Sequence, residues 1–106
     1  MANPMRIRAN AKDGATVVRV LMPHVMETGQ RKDSSGALIP AHFITELTVE
    51  HNGKLVLGAQ FGPSVSANPY LAFSFEGGTK GDTLTVTWVD NKGDTRRDEV
   101  QIAESA

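Results

Sequence analysis

Leu84-Thr85-Val86-Thr87-Trp88-Val89-Asp90-Asn91-Lys92-Gly93-Asp94-Thr95-Arg96-Arg97-Asp98 decides the fold class, because it holds the chain's one tryptophan and its clearest hairpin. Leu84, Val86 and Trp88 alternate with Thr83, Thr85 and Thr87, the period of two expected of a strand with one buried face. The other face is threonine. Asp90-Asn91-Lys92-Gly93 fits a type I turn, in which the aspartate accepts from the backbone and the glycine supplies the positive φ of a closing bulge. Pairing across that turn sets Leu84 opposite Val100, Val86 opposite Asp98 and Trp88 opposite Arg96, so that the Arg96 guanidinium or stem could lie on the indole. Asp98 is then the awkward member. Either it points inward as a charge that protects an edge strand, or the last strand begins later.

Working outward, Phe43 to Glu50 and Leu55 to Phe61 form a second hairpin around His51-Asn52-Gly53. A two-residue turn followed by regular pairing would set Leu55 and Leu57 opposite Glu50 and Thr48 and mix the faces. A three-residue loop with Gly53 at a bulge pairs Val49 with Leu55, Leu47 with Leu57, Thr45 with Ala59 and Phe43 with Phe61. Burying one large apolar side chain is worth about 1.5–3 kcal/mol, so the register that separates the faces is expected, with Gly53 at positive φ. Met5, Ile7 and Ala9 alternate with Arg6 and Arg8 in a short first strand, expected at a sheet edge, before the turn Ala11-Lys12-Asp13-Gly14. Ala15 to Met22 carries apolar residues on both faces, which suggests that both are covered. Pro23 ends it. Tyr70 to Phe75 turns Leu71, Phe73 and Phe75 inward, and Glu76 to Asp82 leads into the tryptophan strand.

These segments make about seven strands, with no convincing amphipathic helix, repeat or second domain. The pattern is that of an all-β, immunoglobulin-like β-sandwich, one domain over residues 1–106. The exception is Pro23 to His42, twenty residues with little periodicity, where structureless loops beyond about 12–15 residues are uncommon and usually functional. Asp33-Ser34-Ser35-Gly36 repeats the turn signal, so Gln30–Lys32 and Ala37–Ile39 can pair as a projecting ribbon. The segment either caps one end of the sandwich or forms an interface.

Eleven basic and twelve acidic residues leave a net charge of -1, which gives no overall field for nucleic acid or an anionic membrane. No apolar run reaches the roughly 20 residues of a membrane span, and Met1 to Arg8 lacks the apolar core of an export signal. Taken alone, these features point to the cytoplasm. With no cysteine, the chain has no disulfide, thiolate ligand or thiol nucleophile. His24, His42 and His51 lack metal-ligand spacing and read as surface or turn residues, so no metal or other cofactor is expected. The acidic run Asp90 to Glu99 lacks the ligand spacing of a calcium loop. Ser64 and Ser66 do not sit in a nucleophile elbow, because Pro63 and the missing second glycine break that motif. Arg31, Lys32 and Lys12 are candidates for a small positive surface, and Met22 and Met26 for an adaptable contact.

Met5-Arg6-Ile7-Arg8, Met26 to Asp33, Ile39 to Ile44, His51-Asn52-Gly53-Lys54, Gly62 to Pro69 and Thr87 to Asp94, in this order and at this length, resemble the SoxZ family. SoxZ is one half of the SoxYZ sulfur carrier of bacterial thiosulfate oxidation. The resemblance implies a non-catalytic, cofactor-free subunit with an immunoglobulin-like fold. It would pair with SoxY, whose cysteine-bearing arm carries the sulfur cargo, and meet SoxAX, SoxB and the sulfane dehydrogenase transiently. It also implies the periplasm, reached without a signal of its own by export together with SoxY. The expected partner-binding residues are Met26, Glu27, Arg31, Lys32 and Asp33, then Pro63, Ser64, Val65 and Asn68 in the second loop. The competing readings are a generic immunoglobulin-like protein-binding module and a metal-dependent redox enzyme like superoxide reductase, whose site needs four histidines and a cysteine.

Overall fold

The computed structural model describes residues 3–62 and 64–104, which form strands and loops without a helix. The strands are β1 (Arg6–Lys12), β2 (Ala15–Leu21), β3 (Ile44–His51), β4 (Lys54–Gln60), β5 (Tyr70–Glu76), β6 (Thr83–Asp90), β7 (Thr95–Gln101) and β8 (Ala103–Glu104). They build two four-stranded sheets, in the order β5-β2-β1-β8 and β4-β3-β6-β7. The sandwich is the expected one, with β8 as an eighth, two-residue strand. β8 runs parallel to β1 and pairs only with Asn10 and Ala11. It therefore places β1 next to the sheet edge rather than at it.

Alternation along each strand builds the core. Val18, Val20 and Met22 from one sheet meet Leu47, Val49, Leu84, Val86 and Trp88 from the other, each at most 1% exposed. The second face of β2 is not covered as expected: Val17 is 38% exposed and Arg19 lies in solvent. The reason is topological, since the two sheets pack by one face each and, among the described residues, no strand covers the outer face of β5-β2-β1.

The β6–β7 register is as read from the sequence, with Leu84 opposite Val100, Val86 opposite Asp98 and Trp88 opposite Arg96. Asp98 does turn inward, and β1 gives it a reason. Its carboxylate accepts from the Met5 N–H at 2.9 Å and from the Arg96 guanidinium at 2.7 and 3.0 Å, tying the start of β1 to the other sheet. Arg96 is thus spent on Asp98 rather than on the Trp88 ring.

The β3–β4 hairpin corrects its expected register. Asn52 and Gly53 both have positive φ, 48° and 84°, and form a two-residue turn that pairs His51 with Lys54 and Glu50 with Leu55. The ladder then slips, so that Val49 faces Leu57 and Leu47 faces Ala59. The bulge at Val56 separates the faces, which the expected three-residue loop would also have done two residues away. The tight turn is kept because Asn-Gly suits its two left-handed positions, and the extra residue is absorbed one step later.

Strands of seven or eight residues span only about 25 Å, whereas the long axis of the molecule is 53 Å. Lys32 bridges Leu38, flanked by Ile39 N–H to Arg31 O at 2.8 Å and Asp33 N–H to Ala37 O at 2.9 Å, so the ribbon forms where the Asp-x-x-Gly signal placed it.

At Gly78, φ is +91° and an added Cβ would come within 2.1 Å of the Thr16 hydroxyl oxygen. Thr16 is fully buried and donates to Gly77 O at 2.7 Å. Gly81, at φ +93°, has open space. Gly78→Ala should therefore cost about 2–4 kcal/mol, from backbone strain plus overpacking, against about 1 for Gly81→Ala. Urea denaturation of both variants checks this; equal losses would mean that the Thr16 contact does not matter.

Candidate functional site

Asp90 ends β6 with its side chain fully buried. One carboxylate oxygen accepts from Lys92 N–H at 3.0 Å and Asp94 N–H at 2.9 Å, closing the turn expected there. The other oxygen meets His24 Nε2 at 3.1 Å and His42 Nε2 at 2.7 Å. Burial alone would raise the Asp90 pKa. The hydrogen bonds from His24, His42 and the two turn amides outweigh it and hold the group below the usual carboxylate range.

His24 and His42 stand at the two ends of the long segment, so this carboxylate closes its base. Glu27 and His42 complete the closure with a reciprocal backbone pair, at 2.6 and 2.9 Å. The second loop is fastened to the same point: Asn68 N–H donates to His24 O at 2.8 Å, and Asn68 Oδ1 accepts from His24 N–H at 3.1 Å. Trp88 packs edge-on to the His24 ring at 5.0 Å.

His24, His42 and Asp90 bring three ligand atoms within 4.8 Å of one another, a convergence that their spacing did not reveal. Metal binding through His24 Nε2 requires a lone pair there and a proton on Nδ1. His24 Nδ1, however, accepts from Met26 N–H at 3.2 Å, so in the neutral ring Nε2 carries the proton and donates it to Asp90. The donor set fits a hydrogen-bond network and does not fit a metal. His51 is likewise engaged by an aspartate, Asp82, at 2.8 Å.

A groove of about 410 Å3 opens between the two fastened segments. Val25, Met26, Glu27, Thr28 and Arg31 form one wall, and Ser64, Val65, Ser66 and Ala67 form the other. Five of the expected partner-binding residues meet there, from two separate stretches of sequence: Met26, Glu27, Arg31, Ser64 and Val65. Asn68 lies behind the groove as the fastening residue. Lys32 and Asp33 sit further out on the ribbon, where Asp33 Oδ1 accepts from the Ser35 amide and hydroxyl and the Ala37 amide. Pro63 lies outside the described residues.

Met26 forms the floor. It is 5% exposed, its sulfur lies 3.3 Å from Ile44 N, and its φ is +50°. A left-handed methionine is uncommon, whereas the other non-glycine residues at positive φ among the described residues are Asp13, Asn52 and Asn68, types that tolerate it. Met22 is also fully buried, so both methionines serve the core. Arg31 pairs bidentately with Glu27, which holds the Glu27 pKa below its ordinary value. The pair neutralises Arg31, one of the three cations expected to make a positive surface, and Lys12 ends β1 beside the turn at the far end of β2 from Pro23. Val25, 55% exposed, was not among the expected residues. Its place between two inward side chains, His24 and Met26, was the available signal.

Fold and groove together define an immunoglobulin-like sandwich with a preformed surface groove at one end. The chain belongs to the SoxZ family: residues 5–101 match the family described as sulphur oxidation protein SoxZ, which makes it a Sox-system protein of sulfur oxidation. A hypothetical protein from Pyrococcus horikoshii OT3, known from its crystal structure, shares the fold with a TM-score of 0.61 at 21% identity, over 94% of this chain and 88% of its own. No curated protein matches the sequence.

Asp90→Ala leaves four donors without an acceptor and should cost about 3 kcal/mol or more at pH 7, read by urea denaturation. Because the folded pKa is depressed, the stabilisation is present above the unfolded value of about 4 and is lost as pH falls through the folded value. The stability gap between wild type and Asp90→Asn should therefore narrow below about pH 4; a gap that stays constant down to pH 2 would contradict the assignment.

Proposed function

We propose that the chain is the non-catalytic subunit of a SoxYZ sulfur carrier, supporting a cysteine-armed SoxY and docking the Sox enzymes in turn. The observation that carries this reading is the SoxZ family match along residues 5–101. Two features of the chain support it. With no cysteine, it has no thiol to exchange with a sulfur-loaded arm, so the reactive group belongs to the companion. Its groove is held open by buried hydrogen bonds before any partner arrives, which lowers the ordering cost of association.

In this reading SoxY is the stable partner, and SoxAX, SoxB and the sulfane dehydrogenase are transient ones. The contact residues in this reading are Met26, Glu27, Arg31, Lys32, Asp33, Pro63, Ser64, Val65 and Asn68, to which Val25 of the groove wall is added. The setting is the periplasm, reached by export together with SoxY.

Coexpressed with a cysteine-armed SoxY, the chain should purify as a one-to-one complex in native mass spectrometry. Val25→Asp and Val65→Asp should each weaken that complex about tenfold or more, because a buried unpaired charge is costly at an interface, while leaving the circular dichroism spectrum unchanged. A chain that stays monomeric beside SoxY, or that turns over thiosulfate alone, would contradict the proposal.

A further inference from the structure

The outer face of the β5-β2-β1 sheet has a composition that the fold itself does not require. Cross-strand register puts Arg6, Leu21 and Tyr70 in one row and Arg8, Arg19 and Ala72 in the next. Arg6, Arg8, Arg19, Leu21 and Tyr70 line a shallow concavity of about 260 Å3. Tyr70 is 62% exposed, and Arg6, Arg8 and Arg19 are all exposed. Among the described residues none of the three arginines has an ion-pair partner, whereas Arg31, Arg96 and Arg97 each hold a carboxylate. Arg8 and Arg19 face one another directly across the β1–β2 pair, a like-charge juxtaposition that works against the sheet.

The outer face of the other sheet has the opposite character. It carries Glu46, Glu50 and Glu99 with Arg97. The net charge of -1 therefore hides two faces of opposite sign.

We propose that the Arg6–Arg8–Arg19–Tyr70 face docks an acidic protein surface, separate from the groove and independent of the function proposed above. Three guanidiniums on neighbouring strands present planar forks at a spacing that adjacent carboxylates can meet bidentately. Arginine and tyrosine are among the residue types that dominate interface energetics, Leu21 supplies apolar area between Arg6 and Tyr70, and exposed Val17 extends it in the row beyond Arg8 and Arg19. A free anion in so open a site is screened and gains little. A protein surface covers the arginines as it pairs them and so escapes that screening. A second copy of this chain is a poorer occupant, because its acidic face would dock head to tail and leave both outer faces of each pair free to continue without closing.

The test is a titration of the isotope-labelled full chain with hexaglutamate peptide, followed by amide and arginine side-chain resonances. Saturable shifts confined to Arg6, Arg8, Arg19, Leu21 and Tyr70 are expected, with affinity falling several-fold between 50 and 200 mM salt. Arg8→Gln/Arg19→Gln should weaken binding about tenfold without loss of stability, and Tyr70→Ala should weaken it in an intact fold. The proposal is overturned by shifts scattered over Lys12, Lys54 and Lys92, by equal binding of the double variant, by sulfate matching the peptide at equal concentration, by tighter binding of an oligothymidylate, or by concentration-dependent self-association that the peptide does not reverse.

Discussion

A carboxylate with no solvent of its own must find its hydrogen bonds inside the protein, and the way Asp90 finds them organises one end of this molecule. Two donors are amides of the turn that Asp90 begins, so β6 and β7 are joined in a fixed geometry. The other two are His24 and His42, 18 positions apart along mostly irregular chain. Closing a loop of that length has an entropic cost that grows only slowly with length. A buried charge-assisted pair of hydrogen bonds is enough to offset much of it. The same network fixes the His24 tautomer through Met26 N–H, and Asn68 ties the second loop to the His24 backbone. Remove the carboxylate and both walls of the groove lose their common anchor.

The groove is thus a consequence of stability rather than a decoration of it. Its floor is a buried methionine in a left-handed conformation, a strain that persists because the surrounding network determines it. Its rim carries exposed Val25 and the Glu27–Arg31 pair, apolar contact beside a locally neutral charge pair. A surface arranged in this way before binding fits the docking role proposed above. It agrees with a chain that has no thiol in a system built on sulfur chemistry.

Much of the sandwich was legible in the sequence because side-chain alternation has a period of two and tolerates no error of parity. Leu84, Val86 and Trp88 fixed one strand, and Asp-x-x-Gly fixed both the β6–β7 turn and the ribbon. The β3–β4 register came out two residues from its expected place because the bulge at Val56 and a wider loop satisfy parity equally, and hydrophobic pattern cannot choose between them. The groove was half legible: its two walls were each singled out as irregular segments, but nothing in their spacing said that they touch. The Asp90 network was not legible at all, since His24 and Asp90 are 66 positions apart and only the closed sandwich brings them together. The arginine face was hidden for a related reason, because Arg8 and Arg19 become neighbours only once β1 and β2 are in register.

The long segment is held at its base as firmly as the sheets hold one another, and native-state amide hydrogen exchange reads that firmness residue by residue. The Met26, Glu27 and His42 amides should exchange as slowly as those of Leu47 and Trp88, opening only with the whole fold, while Ser34 and Ser35 at the ribbon tip exchange quickly. If Met26, Glu27 and His42 exchange as fast as the tip, the anchored groove does not exist in solution.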